Sequence, residues 1–207
     1  RLRTVTGVQT CALPISNAAE ELSLTSEESI YIFNGDVLSS HDLKSQSDLH
    51  EKNSASVTLH LVEVEDARAY GCVPLAKDGK VLDFLEKMDN PIAKTINAGC
   101  YIFSSKAVEQ IPRGKVVSVE RETFPQLLKS DGAIFGYCDS DYWIDMGTPA
   151  SMIQASKDLI MNPKISRATP EVKSGSLISP TANVHPNANV GAGTFVEDGV
   201  SIGEKSQ

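Results

Sequence analysis

Ser29-Ile30-Tyr31-Ile32-Phe33-Asn34-Gly35-Asp36 is the stretch on which the fold turns. Its opening run is rich in β-branched and aromatic side chains, the composition of a buried strand. It stops at an Asn-Gly-Asp triplet, which is turn chemistry. A carboxylate at a strand's C-terminal end points into the cleft above a sheet. Gly35 beside it lets a ligand approach the backbone where a Cβ would intrude. A lone turn aspartate binds nothing in particular, so the neighbouring segments decide what Asp36 means.

Upstream, Asn17 to Ser26 reads as a polar helix. Downstream, Asp42 to Lys52 reads as a helix with Leu43 and Leu49 inward. Ala55–Val64 alternates as a strand, with Val57, Leu59 and Leu61 on one face and Thr58, His60 and Val62 on the other. Tyr70–Ala76 and Val81–Lys87 flank a Lys77-Asp78-Gly79-Lys80 turn and form a hairpin. Asn97–Phe103 is a strand, followed by a short helix from Ser104 to Ile111. Ser118–Lys129 reads as one helix, with Glu120 and Glu122 near its positive end. Ala133–Tyr137 and Tyr142–Met146 are short strands. Thr148 opens an amphipathic helix with Pro149 at its first position, and Asn162-Pro163 ends it. Strands alternating with helices predict an α/β layered sheet, made mixed by the hairpin, with ligands at the C-terminal strand ends.

Past Pro163 the pattern changes. Ile178, Val184, Val190, Val196 and Ile202 recur every six residues. Glycines and prolines fill the corners. This is the hexapeptide pattern of a parallel β-helix, whose apolar residues point into a prism core. A single coil covers its own apolar face poorly, so fraying or pairing with another chain is expected. A Gly/Pro-rich linker does not explain the regular apolar spacing.

Composition sets the outer limits. Of 207 residues 41% are hydrophobic and 22% charged, which supports a packed core and excludes global disorder. No apolar run approaches the roughly 20 residues that cross a bilayer, so no membrane partner is expected. The net charge of −8 argues against a nucleic-acid face but not against a nucleotide in a lined pocket. Cys11, Cys72, Cys100 and Cys138 lack any CxxC spacing and read as reduced thiols, which points to the cytoplasm. Residues 5–15, VTGVQTCALPI, resemble the frame translation of a sequencing adapter. Polar interruptions at Thr6, Gln9 and Thr10 exclude a secretion signal. Residues 1–16 are therefore set aside as a non-native segment, followed by a partial α/β domain at 17–163, a linker at 164–176 and a partial β-helix at 177–207.

Four groups could act together. Asp145 ends the run Tyr142-Trp143-Ile144-Asp145 before Gly147, as Asp36 ends its own strand. Two carboxylates converging from strand ends could hold Mg2+, which favours a few carboxylates, several waters and substrate phosphates. Lys87 suits a phosphate as a compact point charge, and Glu86 suits sugar hydroxyls. On residue types alone, Glu86 and Lys87 read first as a solvated surface ion pair. Asn97-Ala98-Gly99 offers an amide with donors and acceptors beside small neighbours, or simple strand-initiating turn chemistry.

In order and spacing, the series Phe33-Asn34-Gly35-Asp36, Tyr70-Gly71, Phe84-Leu85-Glu86-Lys87, Ile96-Asn97-Ala98-Gly99, Ser118-Val119-Glu120-Arg121-Glu122 with Phe124-Pro125, and Tyr142 to Pro149 resembles the sugar-1-phosphate nucleotidyltransferases. Within that family the likeness is closest to the mannose-1-phosphate guanylyltransferases of actinobacterial type. It spans about Asn17 to Gln207. The resemblance implies a Rossmann-like mixed-sheet nucleotidyltransferase domain followed by a left-handed parallel β-helix. It implies Asp36 and Asp145 as Mg2+ ligands and Lys87 on the sugar phosphate. Glu86 and Asn97 would meet the sugar hydroxyls, and Gly35 and Gly71 would lie against the substrate. GTP and mannose-1-phosphate would be the substrates, with self-association through the β-helix.

The family's Gly-rich GxGTRLxPxT segment, which wraps the triphosphate, is not in this sequence, and Met88 stands where the family usually has Pro. The expectation is a truncated, inactive and poorly soluble chain. Glucose-1-phosphate with UTP or dTTP stays open as the alternative substrate pair. A non-catalytic regulatory relative would be expected to lose Asp36, Asp145 or Lys87, and all three are present. An acyltransferase would need a base in the repeats, where His185 is the lone histidine and sits at a corner.

Overall fold

The computed structural model describes residues 2–6, 12–85, 87–130, 132–166, 172 and 175–206, which divide into two compact units. The first comprises Arg1–Val37 and His41–Asp141, the second Leu38–Ser40 and Tyr142–Gln207.

The first unit is built on a five-stranded sheet. Its strands are β1 (Leu2–Thr6), β2 (Ser29–Phe33), β4 (Val57–Glu63), β5 (Thr95–Ser104) and β6 (Ile134–Asp139), in the spatial order β1-β2-β5-β4-β6. β5 runs antiparallel to both of its neighbours, while β1–β2 and β4–β6 are parallel, so the sheet is mixed as expected. The alternation in β4 does not divide core from solvent. Six of its seven residues are buried, because both faces of the sheet are covered.

One face carries Ile30, Ile32, Val57, Leu59, Leu61, Tyr101, Phe103 and Ile134 into an apolar core. Helices α1 (Leu13–Glu21) and α3 (Ser105–Val108), together with α4 (Phe124–Lys129), complete that core. Residues of the segment set aside as non-native take part in this unit. β1 pairs in register with β2, Ala12 and Ile15 are buried in the core, and the Ala12 N–H donates to the Val117 carbonyl at 2.9 Å. Two small or branched apolar side chains at that position close one end of the core, whatever their origin.

The opposite face is covered by α2 (Leu43–Lys52), capped by Asp42, whose carboxylate accepts from the Lys44 N–H. The expected inward pair is corrected: Leu43 is 40% exposed and Leu49 half-buried, while Gln46, Ser47 and His50 face the sheet. The reason is the sheet surface beneath, where Ser29, Thr58 and Cys100 hydrogen-bond Gln46 and His50 as leucines could not.

The helix expected over Ser118–Lys129 is two elements. Val119–Thr123 forms a π-helical turn capped by Ser118, whose hydroxyl accepts from the Arg121 N–H at 3.1 Å, and α4 follows with Pro125 in its first turn. Pro125 cannot donate, and its ring crowds the carbonyl four residues back, so a regular α ladder cannot run through it. The hairpin forms, though as isolated antiparallel bridges, Leu75–Val81 and Cys72–Leu85.

In the second unit, β3 (Val37–Ser39) pairs with β7 (Trp143–Asp145), and α5 (Pro149–Met161) follows. Thr148 caps α5 in a capping box with Ser151, and the Tyr142 hydroxyl donates to Asp158 at 2.7 Å. Beyond it, β8 (Leu177–Ile178) pairs parallel with β10 (Phe195–Val196), and β9 (Asn183–Val184) with β11 (Ser201–Ile202). Paired residues stand 18 apart, three hexapeptides. Val196 is buried whereas Ile178 is 39% exposed, and α5 packs against β10, the strand that carries Val196.

Candidate functional site

The first unit gathers several of the sequence-predicted residues through one short segment, Asn97-Ala98-Gly99. Gly99 adopts φ +79°, and a Cβ there would stand 2.8 Å from Asn34 Nδ2, so only glycine fits. Freed of that clash, the Asn34 N–H donates to the Gly99 carbonyl at 2.8 Å. The turn carrying Gly35 and Asp36 is thereby fastened to β5. Gly35 and Asp36 themselves are exposed.

The hairpin approaches the same segment from the other side. Cys72 bridges both Leu85 and Ile96, and the Val73 N–H donates to the Thr95 carbonyl at 2.8 Å. That antiparallel register carries Gly71 to the position opposite Asn97. Lys87 lies two residues past Leu85 and is exposed, while Glu86 falls outside the described residues.

The amide of Asn97 is held on three sides. Its Oδ1 accepts the Gly99 N–H at 3.1 Å, and its Nδ2 donates to the Tyr101 hydroxyl at 2.7 Å and to Glu120 Oε1 at 2.6 Å. Tyr101 is fully buried. Burial first, and then the nearby Glu120 carboxylate, hold its phenol protonated well above the usual range, and Asn34 bonds the same hydroxyl. Asn34, Asn97, Tyr101 and Glu120 thus form one connected polar group. The Phe84 ring stacks on Phe124 at 4.7 Å, and Phe124 lies 5.5 Å from Tyr101, so the segments Phe84-Leu85 and Phe124-Pro125 close onto the same place.

Glu120 and Tyr101 carried no site role in the sequence reading. Glu120 stood among the matching motifs, but its position looked like a helix N-terminus, where carboxylates are ordinary. The π-helical turn redirects it.

Asp145 belongs to the second unit. It ends β7, and its Oδ1 accepts the Gly147 N–H at 2.7 Å; a Cβ on Gly147 would stand 2.9 Å from that oxygen. Among the described residues no group of three or more His, Cys, Asp or Glu side chains is placed to hold a metal ion. Mg2+ on this chain would therefore rely on one or two carboxylates completed by water and substrate oxygens, which suits a hard cation. His185 sits in the second unit, where its Nδ1 accepts the Asn187 N–H at 3.2 Å.

The family model described as nucleotidyl transferase matches residues 8–162. The chain belongs to the nucleotidyl transferase family. It is 44% identical over 190 residues to the mannose-1-phosphate guanylyltransferase of Mycobacterium tuberculosis, covering 91% of this chain and 52% of that protein. It is 26% identical over 190 residues to mannose-1-phosphate guanylyltransferase 1 of Arabidopsis thaliana, again covering 91% and 52%. The chain spans about half the length of these curated relatives. Among solved structures, HddC from Yersinia pseudotuberculosis complexed with GMP-PN aligns with a TM-score of 0.56 and 27% identity, over 70% of this chain and 60% of that one. Among the described residues of the nucleotidyl transferase no helix is long and apolar enough to cross a membrane.

Proposed function

We propose that this chain is part of an enzyme that transfers a guanylyl group from GTP to mannose-1-phosphate, giving GDP-mannose and pyrophosphate. The observation that carries the reading is the 44% identity to the mycobacterial mannose-1-phosphate guanylyltransferase across nine-tenths of the chain. It is supported by the way Gly35, Asp36, Gly71 and Asn97 attach to one segment of the first unit.

In this reading an oxygen of the sugar phosphate, already anionic near neutral pH, attacks the α-phosphate of GTP. The bond to the pyrophosphate oxygen breaks in line, and no general base is required. The protein's work is to position two polyanions and offset their charge. Lys87 holds the sugar phosphate, with Glu86 and the Asn97 segment on the sugar. Asp36 and Asp145 serve as carboxylate ligands for Mg2+, which when bound supplies neutralisation of the phosphate oxygens. The 18-residue pairing beyond α5 supports a left-handed parallel β-helix, and its exposed apolar positions support self-association there. Cys72, Cys100 and Cys138 are unpaired, which supports a reducing compartment such as the cytoplasm.

Calorimetric titration of the chain with mannose-1-phosphate, glucose-1-phosphate and free mannose tests the reading without requiring turnover. Mannose-1-phosphate should bind at least about tenfold tighter than either competitor, a difference of roughly 1.4 kcal/mol. Preference for glucose-1-phosphate would move the enzyme to the uridylyl or thymidylyl class. Absence of binding to any sugar phosphate would end the assignment.

A further inference from the structure

Asn97 was expected to meet the sugar hydroxyls, and its bonds leave it little to offer. A primary amide has two N–H donors, and both are engaged, one by Tyr101 and one by Glu120. Its oxygen already accepts the Gly99 N–H. A ligand could recruit Asn97 as a donor only by breaking one of these contacts.

Glu120 is in the opposite condition. Asn97 fixes one oxygen of its carboxylate at 2.6 Å, and the other oxygen has no hydrogen-bond partner among the described residues. The side chain is half-buried, so that oxygen is neither fully hydrated nor enclosed. It is presented by a π-helical turn, a backbone form that is rare and frequent at functional sites. A carboxylate with one oxygen pinned is a preorganised acceptor, and sugar hydroxyls are its natural donors. Gly71, opposite Asn97 in the hairpin register, leaves the neighbouring backbone without a Cβ.

We propose that Glu120 is the hydroxyl acceptor for the hexose of the sugar phosphate, and that Asn97 is a positioning residue that aims it. The inference rests on the sugar-phosphate reading above and assigns the recognition to a different residue.

Titration of the intact chain and its Glu120→Gln variant with mannose-1-phosphate, its monodeoxy analogues and inorganic phosphate tests this. The substitution keeps size and removes the charge. Mannose-1-phosphate should weaken about tenfold, the scale of one charge-assisted hydrogen bond, with inorganic phosphate and the thermal midpoint unmoved. One monodeoxy analogue should bind wild type as weakly as the variant binds the parent sugar, and should be weakened no further by Glu120→Gln. Asn97→Ala should also weaken mannose-1-phosphate, with no added loss in the Glu120→Gln background, since both act through one oxygen.

Equal binding of mannose-1-phosphate by wild type and Glu120→Gln overturns the inference and leaves the sugar-phosphate reading standing. A variant that loses inorganic phosphate and every analogue alike shows a structural role and also overturns it. The deoxy series on wild type decides the matter if the variant does not fold, because an even response to every deletion excludes a single acceptor at this place. Wild type that binds no sugar phosphate removes both the reading and the inference.

Discussion

The two faces of the five-stranded sheet are held by different physics. On the face covered by α1, α3 and α4, Ile30, Leu59, Phe103 and Phe124 are fully buried, and the Phe124 ring stacks 4.7 Å from Phe84 and 5.9 Å from Phe103. On the face covered by α2, a small apolar cluster of Tyr31, Cys100 and Ile102 sits beside a set of buried polar groups. His50 Nδ1 lies 2.9 Å from Thr58 Oγ1, with Nε2 3.2 Å from Ser29 Oγ. Gln46 Nε2 donates to the Thr58 carbonyl at 3.2 Å, while Gln46 Oε1 receives His41 Nε2 at 3.0 Å and Cys100 Sγ at 3.4 Å. His41 stacks on His60 at 3.8 Å, and the Tyr31 hydroxyl donates to the Leu43 carbonyl. Burial of apolar area stabilises the first face whatever the pH. Part of the second face's stability depends on its donors and acceptors keeping their protonation states.

The comparison is broken most forcefully from the apolar side. Phe124→Ala should cost about 3–5 kcal/mol, because it removes a fully buried ring and leaves a cavity lined by the rings of Phe84, Tyr101 and Phe103. Urea unfolding of wild type and variant at pH 7 measures it. A loss below about 1 kcal/mol would mean that this face collapses around the gap and is not the rigid side of the sheet.

Acid should strike the other face. Burial lowers the His50 imidazole to about 4 and also lowers His41, while His60 is lowered by burial and by His41 stacked on it. The His60–Asp139 contact at 3.3 Å is therefore a hydrogen bond from an uncharged imidazole near pH 7 rather than an ion pair. Histidines whose folded values lie below the unfolded value bind fewer protons folded than unfolded, so their contribution is complete above about 6.5 and is lost as pH falls. Asp42, Asp139 and Asp141 face His41 and oppose the shift only in part. Between pH 7 and 4, His50 alone should remove about 3 kcal/mol. Unfolding midpoints across that range should fall in wild type and fall less steeply in His50→Asn. A flat profile would show that the histidines titrate freely and that α2 does not seal this face.

The apolar face was legible in the sequence because its signal is periodic. Val57, Leu59 and Leu61 in β4, and Ile30 and Ile32 in β2, repeat at the strand period, and the turn triplet after Phe33 fixed where the strand ends. The polar face was not. A helix with Leu43 and Leu49 invites the reading that leucines point inward, and nothing local records that Ser29, Thr58 and Cys100 wait beneath, brought together from separate strands. The site divides in the same way. Asn34-Gly35-Asp36 and Asn97-Ala98-Gly99 stand out as turn chemistry at strand ends. The bond from Asn97 to Glu120 spans 23 residues and depends on a π-helical turn that Pro125 helps to impose. Short-range pattern carries the first kind of fact and has no access to the second.

Gln46 sharpens the contrast with the smallest of the three effects. It is fully buried and joins His41, the Thr58 carbonyl and Cys100, so Gln46→Ala should cost about 1–3 kcal/mol at pH 7 by leaving buried groups without partners. The hydrogen bond that Gln46 Oε1 accepts also supports the protonated form of His41, raising its pKa against the desolvation that lowers it. Without that support, His41 should resist protonation more strongly in the folded state, and the variant should lose stability faster than wild type as pH falls below 6.5. Parallel urea titrations at pH 7 and pH 5 separate the two contributions. A constant gap between the curves would show that Gln46 only fills space, whereas a widening gap would place it inside the titrating network.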